Sequence, residues 1–322
     1  MTFPRLRATI ATLVGGLVLL ISITALAGHH EAPPVKQAIV LAAFGTSYPD
    51  ALQSILNIKA KVEKANPDTP VRLAFTSEII RKKWQKRQQD TAWQKANPNI
   101  PADVMSVKTP LAVIADLQND GFRDITVQSL HIFAGEEFAN LENMINALRS
   151  IRTIRPHHTP FKELRLGRPA LETGDDILEA VRVLKADVTE AKDMDAALVY
   201  MGHGNSHYST NIYADFQNGM KNEYDYPIFI SCVEGSPSFE DLLAELKAAG
   251  KKNVLLKPLM VVAGDHAAND MAGDEEDSWK VMLTKAGFKV TTELRGLGSL
   301  DGWADLYVDH LRNAMNQPHG LQ

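Results

Sequence analysis

The sequence predicts an α/β protein of two similar flavodoxin-like lobes, each with a parallel sheet, related by an approximate twofold with a cleft between them. Three observations carry this reading. AIVLAAFGTS (38–47) aligns without gaps on ALVYMGHGNS (197–206), and both are apolar runs closing on Gly-x-Ser. GFRDITVQSLHIFAGEEFAN (121–140) aligns likewise on GKKNVLLKPLMVVAGDHAAN (250–269), pairing Gly121 with Gly250, Leu130 with Leu259 and Gly135 with Gly264. Strand-like apolar runs alternate with helical ones throughout, and such alternation requires crossovers and hence parallel strands covered on both faces. Self-similarity at this scale marks a duplicated unit.

Residues 1–27 stand apart from the fold. Arg5 and Arg7 precede a long apolar run that ends in Ala25-Leu26-Ala27. A basic start, an apolar middle and a small-x-small end read as an export signal cleaved after Ala27, with an uncleaved membrane anchor as the alternative. Either way the folded part lies outside the cytoplasm, in the simplest case in a periplasm, and cleavage would leave no stable anchor. Residues 28–35 form a short linker.

The first lobe spans 36–190. Its opening strand and the strand LAFTSE (73–78) are followed by WQKRQQDTAWQKANPNIPADVM (84–105), a polar insertion with no counterpart in the second lobe. It is expected to form a surface helix or a flap over the cleft. TPLAVIADLQNDG is a helix with Thr109 as cap, Pro110 in the first turn, Gly121 past the end and an apolar stripe of Leu111, Ile114 and Leu117. In the second lobe (191–322) SFEDLLAELKAAG repeats that punctuation with Ser238 and Gly250, and Leu242, Leu243 and Leu246 form its stripe. A weaker third pair, FKELRLG from Phe161 and FKVTTELRG from Phe288, precedes the amphipathic stretches DDILEAVRVLKADV and WADLYVDHLRNAM.

Composition narrows the function. The 322 residues are 45% hydrophobic and 23% charged, as in an ordinary globular protein. Removing Arg5 and Arg7 leaves 32 basic against 39 acidic residues, and nothing in the sequence resembles a nucleic-acid footprint, which would need a basic face. The single cysteine, Cys232, rules out an internal disulfide and reads as a core residue. No Gly-x-Ser-x-Gly elbow, Walker loop or three-glycine dinucleotide fingerprint occurs.

Positions that match between the copies report the fold; those that differ report what each lobe was later asked to do. Phe44 answers His203, Glu137 answers His266, and Thr76 falls near Glu234. The second lobe thus carries His203, Glu234 and His266 at three strand ends on one rim, where ligands bind in α/β sheets. Two imidazoles and a carboxylate with open positions suit a borderline divalent ion: Co²⁺, Fe²⁺, Ni²⁺ or Zn²⁺. Asp265, next to His266, is a candidate to orient that imidazole. Gly202 and Gly204 would let another group approach His203 closely. His207 is assigned to the rim and His131 to a satisfied, inward-facing role. His29, His30, His157, His158 and His319 fall in tails or loops. The run GDEEDSW (273–279) reads as the acidic first turn of a helix.

LAAFGTSYPDA, AFTSEIIRKK, VQSLHIFAGEEF, VYMGHGNSHY and KPLMVVAGDHAANDMAGDEEDSWK together resemble the anaerobic-type, class II sirohydrochlorin cobaltochelatases. The likeness runs from about Lys36 to Met315 and implies a bilobal, chelatase-like fold whose cleft binds a tetrapyrrole. It also implies a lyase-type chelatase reaction, Co²⁺ insertion into sirohydrochlorin during corrin (cobalamin) synthesis. His203, Glu234 and His266 match the family's metal ligands, and Glu137 matches an acidic residue across the cleft. On this reading His203 is the principal ligand and proton acceptor, and Glu137 a second acceptor. Phe44, Leu130, Met260 and Val262 would pack on the macrocycle, and Lys83, Lys86 and Arg87 would meet its carboxylates. Co²⁺, or Fe²⁺, is then a substrate and no organic cofactor is required; binding of a haem-like tetrapyrrole and formation of a homo-oligomer are left open. The export signal departs from the family, whose members are mostly cytoplasmic. It supports the alternative of a periplasmic metal- or tetrapyrrole-binding protein on a chelatase scaffold.

Overall fold

The structure, a computed structural model, describes residues 35–205 and 208–317. The export signal, linker residues 28–34, His29, His30, His207 and His319 lie outside the described residues. No helix among the described residues is long and apolar enough to cross a membrane.

The first half runs β1 (Lys36–Ala43), α1 (Pro49–Ala65), β2 (Val71–Phe75), α2 (Glu78–Gln88), α3 (Thr91–Ala96), α4 (Ala102–Met105), α5 (Pro110–Asn119), β3 (Phe122–Ser129), α6 (Glu136–Arg149), β4 (Glu163–Gly167), α7 (Gly174–Val183) and α8 (Lys185–Asp193). The second runs β5 (Ala196–Gly204), α9 (Ile212–Tyr224), β6 (Ile228–Glu234), α10 (Phe239–Ala249), β7 (Asn253–Pro258), α11 (Trp279–Lys285), β8 (Lys289–Thr292) and α12 (Asp301–Asn316). A π-helical turn, Ala267–Met271, follows β7.

Both sheets are parallel and have the same order, β2-β1-β3-β4 and β6-β5-β7-β8. The duplication read from sequence is therefore a duplication of topology. Register refines one equivalence. Ile39 faces Val71 as Leu198 faces Ile228, which sets Ser77, rather than Thr76, at the level of Glu234. In each sheet the strand order reverses beside the first strand of the repeat, so β1 and β5 end at the switch points where α/β proteins bind ligands.

The two faces of each sheet feed different cores. Ile39, Leu41 and Ala43 join Leu198 and Tyr200 in one central cluster, whereas Val40 and Ala42 pack outward on α5 and Val199 and Met201 pack outward on the opposite side. Alternation along each strand makes this division. Two helices cross the 190/191 division of the sequence: α8 packs on β5, and α12 lies on α1, β3, β4 and α7. Trp303 and Tyr307 of α12 are fully buried in the central cluster. The two sheets thus share a core.

Local sequence signals set the element ends. Thr109 accepts from Ala112 N at the start of α5, and Ser238 and Asp241 close a capping box on α10, whose C-cap Gly250 is left-handed. The buried stripe of α5 is Val113, Ile114 and Leu117; the expected member Leu111 points to solvent. The acidic residues 274–277 precede α11, which starts after its cap Ser278 with no acid in its first turn.

Candidate active site at the strand ends of β5 and β7

His203 is the penultimate residue of β5, and it is exposed. Its Nδ1–H donates to the Gly204 carbonyl at 2.6 Å. That bond leaves the Nε2 lone pair available, because the nitrogen that carries the proton is set by the partner of the other. His266 stands at the entry to the π turn after β7, and its Nδ1 meets Asp270 Oδ2 at 2.5 Å. The two rings lie edge to face, with centroids 4.7 Å apart and an interplanar angle of 85°. Since β5 runs between β6 and β7, the fold itself brings these two histidines together.

Glu234 closes β6 and pairs in register with Gly204, on the other side of His203 from β7. Its carboxylate is exposed. Among the described residues, the set His203, His266 and Glu234 does not have its ligand atoms within 4.8 Å of one another. The imidazole pair is assembled; the carboxylate stands at the rim of the same strand ends. The group that does meet that spacing, Asp187, Glu190 and Glu293, is already filled by Lys257, whose Nζ lies 2.8 Å from Asp187 and 2.7 Å from Glu190 and also contacts Glu293. Burial opposes the Lys257 charge, but its three carboxylate partners hold its pKa above the ordinary value. Arg295 and the Tyr200 hydroxyl also bond Asp187, so this is an ion network rather than a vacant metal site.

The glycines flanking His203 are required by the protein's own packing. A methyl on Gly202 would lie 2.5 Å from the Tyr213 ring, and one on Gly204 would lie 1.8 Å from the Glu234 carbonyl oxygen. Gly204 also has φ +75°, a conformation that side chains disfavour. Close approach is indeed required there, but by β6 and α9. The orienting carboxylate is Asp270 rather than Asp265, which instead accepts from Tyr48 of the opposite lobe at 2.6 Å. An aspartate four residues after a histidine shares its helix face, a signal present in the sequence and passed over.

The lobe-one rim faces this site. Phe44 follows β1 and is 46% exposed, free to meet a flat ligand. Glu137, in the first turn of α6, is exposed and accepts from Thr76 Oγ1 at 3.1 Å. Its loop meets the one after His203, since a methyl on Gly135 would lie 3.2 Å from Asn205 Nδ2. Met260 and Val262 are half-buried. Leu130 is a correction: at 2% exposure it belongs to the central core and cannot pack on a macrocycle. It ends a strand whose inward face continues one residue past the ladder.

His131 is inward-facing but only half satisfied. Nδ1 pairs with Ser129 Oγ at 2.8 Å, whereas Nε2 is sealed from solvent without a partner, and burial pushes the ring down to about 4. Cys232 is a core residue as expected, its thiol pushed up to about 12 by burial. Arg87 is not free for substrate carboxylates. Its guanidinium lies 4.7 Å and 4.6 Å from the Trp84 and Trp93 ring centroids and donates to Ser47 O. Lys83 and Lys86 remain exposed.

Residues 37–316 match the cobalt chelatase (CbiK) family. The chain belongs to that family. As a member of the cobalt chelatase family it is 32% identical over 283 residues to a sirohydrochlorin cobaltochelatase of Salmonella typhimurium, covering 88% of this chain and 97% of the relative. It is 29% identical over 295 residues to the sirohydrochlorin cobaltochelatase CbiKC of Nitratidesulfovibrio vulgaris, covering 92% and 96%. The fold is shared with the sirohydrochlorin chelatase SirB of Bacillus subtilis subspecies spizizenii, solved with cobalt, at a TM-score of 0.54 and 12% identity, covering 88% of this chain and 97% of that one. In this chelatase-family chain, two site residues escaped the sequence reading: Asp270, and Tyr48 with its cross-lobe bond.

Proposed function

We propose that this protein is a sirohydrochlorin cobaltochelatase, a lyase that inserts Co²⁺ into the tetrapyrrole. The observation that carries the reading is the His203–His266 pair, each ring committed through Nδ1 and presenting Nε2 at the switch point of the second sheet. Family membership and the names of the relatives support it. Fe²⁺ is the second metal suited to such nitrogen and oxygen donors.

Metallation replaces two pyrrole N–H protons by one divalent ion. The ion must shed water without being trapped, which favours few protein ligands and open positions. The two imidazoles are assigned as two such ligands, and Glu234, which closes the neighbouring strand, as the third. Neutral imidazole also accepts protons near pH 7. His203 is assigned as principal ligand whose Nε2 accepts one pyrrole proton once the ion has passed to the ring, and Glu137, held by Thr76 on the opposite rim, as acceptor of the other. Phe44, Met260 and Val262 supply apolar surface for the ring.

The basic, apolar and small-residue pattern of residues 1–27 supports export, and we assign the mature chain to the periplasm, beginning at Gly28. Cell fractionation with N-terminal sequencing checks this; an intact Met1 in the cytoplasm contradicts it.

The test of activity is the absorbance change when sirohydrochlorin and Co²⁺ are supplied in many-fold excess over enzyme. The wild type is expected to turn over repeatedly, and His203→Ala to lose at least about 100-fold while keeping its melting temperature. Binding that stops at one equivalent without turnover rejects the enzyme reading and favours a carrier.

A further inference from the structure

The strand-end loop of lobe one is fastened to the segment that carries His266. Tyr48 caps α1, and its backbone N–H donates to Thr46 Oγ1 at 3.1 Å. Its hydroxyl donates across the cleft to Asp265 Oδ1 at 2.6 Å. Asn269 closes the triangle, donating from Nδ2 to the same Asp265 oxygen at 3.1 Å and, at 3.5 Å, to the Tyr48 hydroxyl. Asp265 and Asn269 bracket His266. Gly264 lies beside the same loop, since a methyl there would sit 3.3 Å from the Thr46 side-chain hydroxyl.

The same loop is held from its other side by the lobe-one insertion. Trp84, fully buried, donates from Nε1 to Thr46 O at 2.8 Å, and Arg87, lying between the Trp84 and Trp93 rings, donates to Ser47 O at 2.5 Å. A continuous path therefore runs from the insertion through Thr46 and Ser47 to Tyr48, and from Tyr48 to the side chains of Asp265 and Asn269 on either side of His266. Phe44 lies on the same loop, two residues before Thr46.

We infer that Tyr48 is a positioning residue for metal insertion, whose hydroxyl clamps the His266 segment to lobe one and so fixes that imidazole relative to the ring-facing Phe44. This deepens the chelatase reading and rests on it for its kinetic consequence. Asp270 orients the ring of His266; Tyr48 places the backbone that bears it. Misplacing a reacting group by about 1 Å can cost on the order of 100-fold in rate, which is why such a clamp affects turnover rather than substrate affinity.

The test compares wild type with Tyr48→Phe, Asp265→Ala, Asp265→Asn and the double variant Tyr48→Phe/Asp265→Ala, in two measurements. Hydrogen exchange reads the clamp directly: Tyr48→Phe should lose protection over residues 264–271 while the β5 and β7 strands keep theirs. Steady-state cobalt insertion reads its consequence: kcat should fall about tenfold or more with KM for sirohydrochlorin changed less than about threefold. The double variant should be no worse than Asp265→Ala alone, because the Tyr48–Asp265 bond is already lost there; Asp265→Ala itself also removes the bond from Asn269. Asp265→Asn, whose amide oxygen still accepts the phenol proton, should restore at least about a third of wild-type turnover. Wild-type exchange over 264–271 in Tyr48→Phe overturns the inference whatever the activity. A wild type that fails to metallate sirohydrochlorin overturns the chelatase reading instead, and the exchange comparison still decides the clamp.

Discussion

His266, the second imidazole of the proposed metal site, is oriented by a neighbour on its own turn. Its ring is held by Asp270 at 2.5 Å, and partners of this kind set the tautomer and basicity of a metal-binding imidazole. Asp270→Asn is expected to lower cobalt affinity or turnover about 10- to 100-fold with the fold retained, read by titration and by the metallation assay. Equal affinity and rate in the variant would remove Asp270 from the site. Gly204 makes the complementary point. With φ +75° and the Glu234 carbonyl 1.8 Å from where a methyl would lie, Gly204→Ala should cost on the order of 3 kcal/mol or more. A denaturant titration measures this, and an unchanged midpoint would contradict the account. The histidines and the glycines were both legible in the sequence, but the reason for the glycines was not. Sequence shows that a side chain is missing without showing which neighbour occupies the space.

At the scale of elements, the repeat foretold most of the architecture. Equal strand orders in the two sheets follow from the matching patterns at 38–47 and 197–206 and at 121–140 and 250–269. What the repeat did not reveal lies where the copies interlock. The insertion reads as polar, yet Trp84 is its buried anchor, set edge to face against Trp93 and hydrogen-bonded to the carbonyl of Thr46 in a loop that precedes the insertion by a helix and a strand. Trp84→Ala should destabilise the protein by about 3–5 kcal/mol, the usual range for emptying a buried indole site. Thermal melting checks this; a loss below about 1 kcal/mol would mean that the insertion is a loose flap after all. Leu130 was misread for a related reason: alternation identifies which residues share a strand face, but not where a buried face gives way to a cleft.

Across the whole molecule, the shared central core couples the stability of both sheets to a few buried titratable groups. Burial pushes His131 down to about 4 and also lowers His310, chiefly by the same desolvation. Burial raises the Asp176 carboxyl, but the Arg168 guanidinium, Thr173 and His310 outweigh it and hold it well below the usual carboxylate range. The signs agree. A histidine whose folded pKa is depressed leaves the unfolded chain binding more protons below about 6.5, so its stabilisation is present above that pH and is lost toward the folded value. Asp176 adds a further loss as the pH falls below about 4, its ordinary range. Stability should therefore decline from about pH 6.5 to 4, by on the order of 3 kcal/mol for His131 alone. Melting temperatures across that window check the decline, and His131→Gln should flatten it; a level profile in the wild type would contradict the burial argument. The exchange of α8 and α12 between sheets, which creates this core, has no counterpart in any local pattern, since an amphipathic helix does not state which sheet it covers.

The central claim is that His203 and His266 hold the metal through Nε2. X-ray absorption at the cobalt edge, on protein loaded with one equivalent of Co²⁺, tests it most directly. Two imidazole ligands in the wild type, lost together in His203→Ala/His266→Ala, are the expected result. An oxygen-only coordination shell, unchanged by that double substitution, would contradict it.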